Sequence, residues 1–236
     1  MKLGIMQPYF FPYIGYFQLI AAVDRFVLYD NVKYTKKGWV NRNRYLVGGK
    51  DAVFTIPLKG DSDFLEVRER LIAEDFDRRR LLARIGQAYG KAPFFEPAFA
   101  LFSKAVSHPD RNLFGFVYQS IADVCKYVGI TTPIVPSSGI AIDHSLRGEE
   151  KVVAICRATG ASVYVNAIGG LEFYSREAFS AHGVTLKFLK SHPIEYPQFG
   201  AAFVPWLSIL DVLMFNAPEA IRRFLANGYD LIGGPA

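Results

Sequence analysis

Leu3-Gly4-Ile5-Met6-Gln7-Pro8-Tyr9-Phe10-Phe11-Pro12-Tyr13-Ile14-Gly15-Tyr16-Phe17, followed by Phe26-Val27-Leu28-Tyr29-Asp30, is the stretch whose reading decides the fold. Leu3 to Met6 is a short apolar run and reads as a strand. Gln7 to Pro12 cannot be helical, because each proline pushes the residue before it to extended angles. From Tyr13 the spacing changes: Ile14, Phe17, Ile20 and Ala21 fall at helical intervals and predict a helix of about two turns. Phe26 to Tyr29 is a second apolar strand that ends at Asp30. Strand, loop, helix and strand in this order form a βαβ unit, and parallel pairing follows.

The rest of the chain extends the pattern. Strands are expected at 52–58, 133–136, 162–165 and 184–189. Helices are expected at 75–89, 149–158, 206–215 and 218–225, the last with Pro218 where its missing N–H costs least. Leu113, Val117, Ile121, Val124 and Val128 recur every three or four residues ahead of Gly129 and mark an amphipathic helix. The expectation is a single α/β domain over residues 1–236, a mostly parallel sheet with flanking helices and a helix-rich central insertion.

Composition agrees. Of 236 residues, 51% are hydrophobic and 21% charged, with 20 Phe and 13 Tyr, which excludes a disordered, coiled-coil or fibrous chain. Two cysteines exclude a disulfide scaffold and a cysteine-only zinc site. The four histidines are not spaced for a helix-borne metal site, so no metal and no cofactor is expected. A net charge of +5 points to anionic partners such as phosphorylated small molecules, sugar nucleotides or anionic lipid. Nucleic acid fits poorly, since the basic residues are scattered and no readout motif is present. No run reaches the roughly 18 apolar residues of a membrane helix, and Gln7 and Pro8 break the initial apolar run too early for a secretory signal. The expected location is the cytoplasm; the oligomeric state is left open.

Three loops carry candidate chemistry. Residues 30–44 hold Asp30, Lys36, Trp39, Asn41, Arg42 and Asn43 beyond a strand's carboxyl end, where open α/β sheets bind ligands. Arginine and lysine suit phosphate, and tryptophan offers a face to a sugar or base. Residues 7–15 supply Gln7, Tyr9 and Gly15, and Gly15-Tyr16 falls where nucleotide-binding α/β proteins bring backbone to phosphate, with tyrosine in place of their histidine. Asn166 precedes Gly169-Gly170, which serve either close ligand approach or an ordinary turn. His144, beside Asp143, is a candidate general base. Asp211 interrupts an apolar helix and is either a catalytic acid or a buried ion-pair member, with Arg42 or Lys151 as partner. No phosphate loop of the Gly-x4-Gly-Lys-Ser/Thr type occurs.

Three motifs resemble the WbqC-like family of bacterial proteins: Ile5-x-Gln7-Pro8-Tyr9-x-x-Pro12-x-x-Gly15-Tyr16-Phe17, Asp30-x-Val32-x-Tyr34-x-Lys36-x-x-Trp39-x-Asn41-Arg42-Asn43, and Leu207-Ser208-Ile209-Leu210-Asp211-x-Leu213-x-Phe215-Asn216. Lys151, Tyr164, Tyr196 and Gln198 fall between them in the family's order, and Asn166 stands near a position where many relatives have serine and glycine. The resemblance implies a role in surface polysaccharide (O-antigen, lipopolysaccharide) biosynthesis: an acyl, aminoacyl or glycine-type transferase whose acceptor is a nucleotide-linked or lipid-linked amino sugar. In such a site Asp30 or His144 serves as base, Arg42 and Lys36 hold a diphosphate, Trp39 stacks, and Asn41 or Asn43 supports the oxyanion. Two rival readings stand beside it, an ATP-dependent adenylate-forming or nucleotidyl-transfer enzyme and a non-catalytic protein that binds nucleotide sugar or glycan.

Overall fold

The computed structural model describes residues 1–60, 62, 64–200 and 202–233. Its frame is a six-stranded sheet in the order β5-β2-β1-β6-β7-β8, built from β1 (Lys2–Met6), β2 (Arg25–Leu28), β5 (Ile134–Pro136), β6 (Val163–Ala167), β7 (Thr185–Ser191) and β8 (Tyr229–Gly233). All neighbours pair in parallel except β8, which runs antiparallel to β7 along the edge. Leu3, Ile5, Val27, Tyr164, Leu186 and Phe188 face one side and bury α5 (Gly148–Thr159) and α6 (Arg176–Ser180) through Val152, Ile155, Cys156 and Phe179. Phe26, Leu28, Val165 and Leu189 face the other side, toward α1 (Ile14–Ala21), α4 (Leu113–Val128) and α8 (Pro218–Asn227). Apolar residues on both faces of every inner strand are what a covered parallel sheet requires.

Between β2 and β5 lies the central insertion. It holds a hairpin, β3 (Arg42–Val47) with β4 (Lys50–Thr55), and the helices α2 (Arg78–Tyr89), α3 (Phe95–Val106) and α4. Gly48 and Gly49 turn the hairpin with positive φ of 58° and 75°, a geometry that side chains resist. Phe10, Phe11, Phe54, Phe102 and Phe116 meet edge-on, tilted or stacked with centroids 5.0–6.1 Å apart, and so weld the β1–α1 loop to the hairpin and to α3 and α4. Pairs of this kind contribute about 0.5–1.5 kcal/mol beyond area burial.

Several boundaries differ from the sequence reading. The loop expected to reach residue 44 gives way at Arg42 to β3, and the strand expected at 52–58 is shortened into the hairpin partner β4. The last apolar helix, α7, is Ile209–Phe215 and not 206–215. Trp206 sits at φ 61°, outside helical geometry, and Ser208 caps the helix by accepting from Leu210 N. Helices α3 and α6 and strand β8 had no counterpart in the reading.

Candidate functional site

Because β1, β2, β5 and β6 are parallel, their carboxyl ends share one edge. The chain runs outward from β1 to β2 and β5, then returns to the other side of β1 for β6 and β7, so the edge contains a topological switch point beside β1. Pairing of Leu28 with Pro136 brings the residues after β2 level with those after β5. Asp30 is buried there. Its Oδ1 accepts from Ser138 N and lies 2.8 Å from the Ser137 hydroxyl, while its Oδ2 accepts from the Ser138 hydroxyl. Burial by itself would raise this carboxyl's pKa, but the Ser138 and Ser137 hydrogen bonds together outweigh it and hold the pKa below the ordinary value.

Asn31 links this anchor to two further groups. Its Oδ1 faces the Ser137 hydroxyl at 2.6 Å and Lys151 Nζ at 3.3 Å, and its backbone carbonyl accepts from Lys151 Nζ at 3.2 Å. With donors on the Oδ1 side, the amide nitrogen faces His144 Nδ1, 2.8 Å away. The network therefore assigns the proton of neutral His144 to Nε2, which makes the outer nitrogen a donor. Lys151 is buried on the first turns of α5 with its ammonium 5.7 Å from the Tyr29 ring centre. Burial lowers its pKa; Glu66 and Asp30 pull it back, and Arg68 and Arg147 lower it further. Glu66, one of the two acids that act on Lys151, is already paired with Arg68 at 2.7 Å.

Asp30 also sets a pH signature. A depressed folded-state pKa stabilises the native chain above the unfolded carboxylate value of about 3.9, and that stabilisation is lost as pH falls through the folded value. The melting deficit of Asp30→Asn relative to the parent is therefore expected to be constant near neutrality and to shrink below about pH 4. Melting curves of both proteins across that range check it.

The other residues named from sequence fall into two groups. Asn41 and Asn43 are buried and fully engaged, so they do not form an oxyanion pair. Asn41 accepts from Tyr34 OH and donates to Ile56 O, while Asn43 donates to Phe10 O and Phe11 O. The Phe11 carbonyl also accepts from Ser208 Oγ at 2.7 Å, which pins a bulky residue at φ 46°. Arg42 lies over the Trp39 ring at 5.2 Å and donates to the carbonyls of Gly38 and Lys37; Trp39 stays 40% exposed, and Lys36 is exposed nearby. Tyr16 is buried and donates to Gln7 O, so its hydroxyl faces protein rather than ligand. Gly15 is buried, and the space on its side-chain face is filled by protein: a β-carbon there would strike the Tyr13 ring and lie 2.7 Å from Ser191 Oγ. Asn166 accepts from Ala167 N and packs over Gly170, which explains that glycine as an ordinary close approach. Tyr9 lines a cavity of about 190 Å³ with Pro12, Tyr13, Trp39, Asn43, Arg44 and Trp206.

Asp211, Tyr196 and Gln198 form a separate buried cluster. Asp211 accepts from Tyr89 OH at 2.8 Å, Tyr196 OH at 2.7 Å and Gln198 Nε2 at 2.6 Å. Neither Arg42 nor Lys151 is its partner; neutral donors replace the expected ion pair. Burial pushes the Asp211 pKa up, and the three hydrogen bonds oppose that without cancelling it. Ser137, Ser138 and Tyr89 escaped the sequence reading. The only hint to the serines was a Ser-Ser-Gly turn directly after a strand.

The motif positions now account for both the edge and the aromatic loop that braces it. The model of the WbqC-like protein family matches residues 7–223. The chain belongs to the WbqC-like family. A relative from Mycobacterium tuberculosis, the uncharacterized protein Rv1507c, is 29% identical over 230 residues, covering 94% of this chain and 97% of that one. No solved structure matches. Among the described residues of this WbqC-like chain, no helix is long and apolar enough to cross a membrane.

Proposed function

We propose that this WbqC-like protein is a transferase that joins an acyl or aminoacyl group, glycine being the smallest case, to the amine of a sugar held on an anionic nucleotide or lipid carrier in bacterial surface polysaccharide synthesis. The observation that carries the reading is the buried Lys151 ammonium beside Asn31 and His144 at the carboxyl edge, with Arg68 and Arg147 about it. In acyl transfer to an amine, the nitrogen attacks the acyl carbonyl carbon, an oxyanion develops, and the bond to the leaving group breaks with its electron pair. A preplaced, buried ammonium and the Nε2–H of the exposed His144 are donors for that oxyanion. The nitrogen's proton, increasingly acidic as the C–N bond forms, passes to the departing group as that group leaves with its electron pair, while Asp30, held ionised by the serines, fixes the turn that carries Asn31. The arginines supply counter-charge for the carrier's phosphates, and the exposed Trp39 face suits a sugar ring.

Adenylate formation or nucleotidyl transfer is the second reading, favoured by the doubly wound strand order. Against it, Tyr16 brings no imidazole to the β1–α1 turn, and Gly15 is buried with its side-chain face filled. Thermal melting separates the two. At about a hundred times its dissociation constant a ligand adds roughly 2.7 kcal/mol, or about 5–11 °C for a chain of this size. The transfer reading expects a nucleotide-linked amino sugar to stabilise more than the free nucleotide, and ATP with glycine to add nothing. A shift with ATP alone would favour the second reading.

A further inference from the structure

We propose that an apolar cavity at the end of β7 is a second compartment of the site and takes the aliphatic chain of an amphiphilic substrate. The cavity measures about 450 Å³. Tyr13 and Ile14 at the start of α1 form one wall, Val212 of α7 another, and the 192–207 segment closes it with Ile194, Phe203 and Trp206. It lies on the same carboxyl edge as Lys151 but on the opposite side of β1 in the strand order, and nothing in the transfer chemistry uses it.

Its lining selects the occupant. The Tyr196 hydroxyl is committed to Asp211, and Ser191 Oγ lies against the Gly15 backbone, so the polar side chains left to a ligand are those of the exposed Lys190, His192 and Glu195 at the wall, and the rest of the lining is apolar. Burying the polar atoms of a sugar or base unpaired is costly, whereas a hydrocarbon chain gains with every carbon removed from water. Lys190 and His192 stand at the wall, with His192 Nε2 3.0 Å from Asp230 Oδ2, and Glu195 is the acid among them. The cavity is also held open. Arg44 Nη2 donates to Trp206 O at 2.9 Å and to Pro205 O at 3.3 Å, keeping the 66% exposed Trp206 at a positive φ that a bulky residue otherwise avoids. Trp206 and Tyr13, with ring centroids 6.1 Å apart, also line the smaller cavity that holds Trp39 and Tyr9, so the apolar cavity adjoins the proposed sugar subsite.

The inference rests on the transfer reading only in assigning chain and reacting group to one substrate. The chain belongs either to the acyl donor or to a lipid-linked acceptor, and two probe series tell these apart. Calorimetric titration of the full chain would use acyl-pantetheine thioesters and alkyl phosphates of six to about fourteen carbons, below their micelle concentrations, with inorganic phosphate as control. Affinity is expected to rise roughly fourfold per added methylene until the cavity is full and then level off. Ile194→Trp is expected to weaken the longest chain at least about tenfold while the melting point stays within a few degrees. Ile14→Ala, which widens the cavity from the opposite wall, moves the plateau to a longer chain. A steeper thioester series assigns the chain to the donor, and a steeper phosphate series assigns it to the acceptor; both support the compartment. Affinity independent of chain length, or an unchanged length dependence in Ile194→Trp, overturns it. Binding is read without turnover, so chain binding by a protein that makes no amide would refute the transfer reading alone.

Discussion

Lys151→Met is expected to lower the rate of amide formation about a hundred- to a thousandfold, the loss that follows removal of one preorganised donor from a developing oxyanion. Methionine keeps most of the stem and its apolar contacts and removes the ammonium, with its place beside the Tyr29 ring and its hydrogen bonds to Asn31 O and Oδ1. The Asp30 anchor to Ser137 and Ser138 does not involve Lys151, so the turn that carries Asn31 keeps its hydrogen bonds. The effect should therefore fall on kcat far more than on the melting point. Lys151→Arg should recover little, because a planar fork cannot reach both Asn31 oxygens from the same buried stem. Initial rates with a nucleotide-linked amino sugar, alongside melting curves, check both. A lysine that only braces Asn31 would show the reverse, a lower melting point and an unchanged rate per folded molecule.

Asp211→Ala is expected to be the most destabilising single change. The side chain is fully buried, and its removal leaves Tyr89 OH, Tyr196 OH and Gln198 Nε2 without their acceptor. Each orphaned buried donor costs about 1–3 kcal/mol, partly relieved by relaxation, so a loss of about 3–5 kcal/mol is expected. For a chain of this size that lowers the melting point by about 6–20 °C. Asp211→Asn adds a test of sign. A raised folded-state pKa gives a contribution that is complete below the ordinary carboxylate value and declines as pH rises through the folded value. The deficit of the Asn variant should thus narrow as pH rises, opposite in direction to Asp30→Asn. Turnover per folded molecule should survive Asp211→Asn, since this cluster joins α2, α7 and the 192–207 segment and lies apart from the Lys151 network.

Local physics made the sheet readable. The β1–α1–β2 unit, α4 and α5 were legible because apolar periodicity, proline and terminal glycine act within a few residues of one another. The hairpin was harder to see: Arg42, Asn43 and Arg44 look like loop residues, and what makes them a strand is docking against Phe10, Phe11 and Ile56. Asn41 and Asn43 were read as facing a ligand because polar side chains in a loop have no other evident use. Their acceptors, 15 and 32–33 residues away in sequence, appear only once the chain is folded. Ser137 escaped notice for a related reason, since its carboxylate partner Asp30 lies 107 residues earlier. Asp30, His144 and Lys151 were legible one by one, and the fold joins them through Asn31 and the two serines.

The measurement that bears most directly on the proposed chemistry is mass analysis of a nucleotide-linked amino sugar after incubation with the full chain and a panel of activated acyl and aminoacyl donors. The account predicts a product heavier by one acyl group less one proton, formed by the parent protein and reduced to near background by Lys151→Met. An unmodified sugar with every donor, from a protein that the same sugar nucleotide measurably stabilises, would contradict transfer and leave a binding protein in its place.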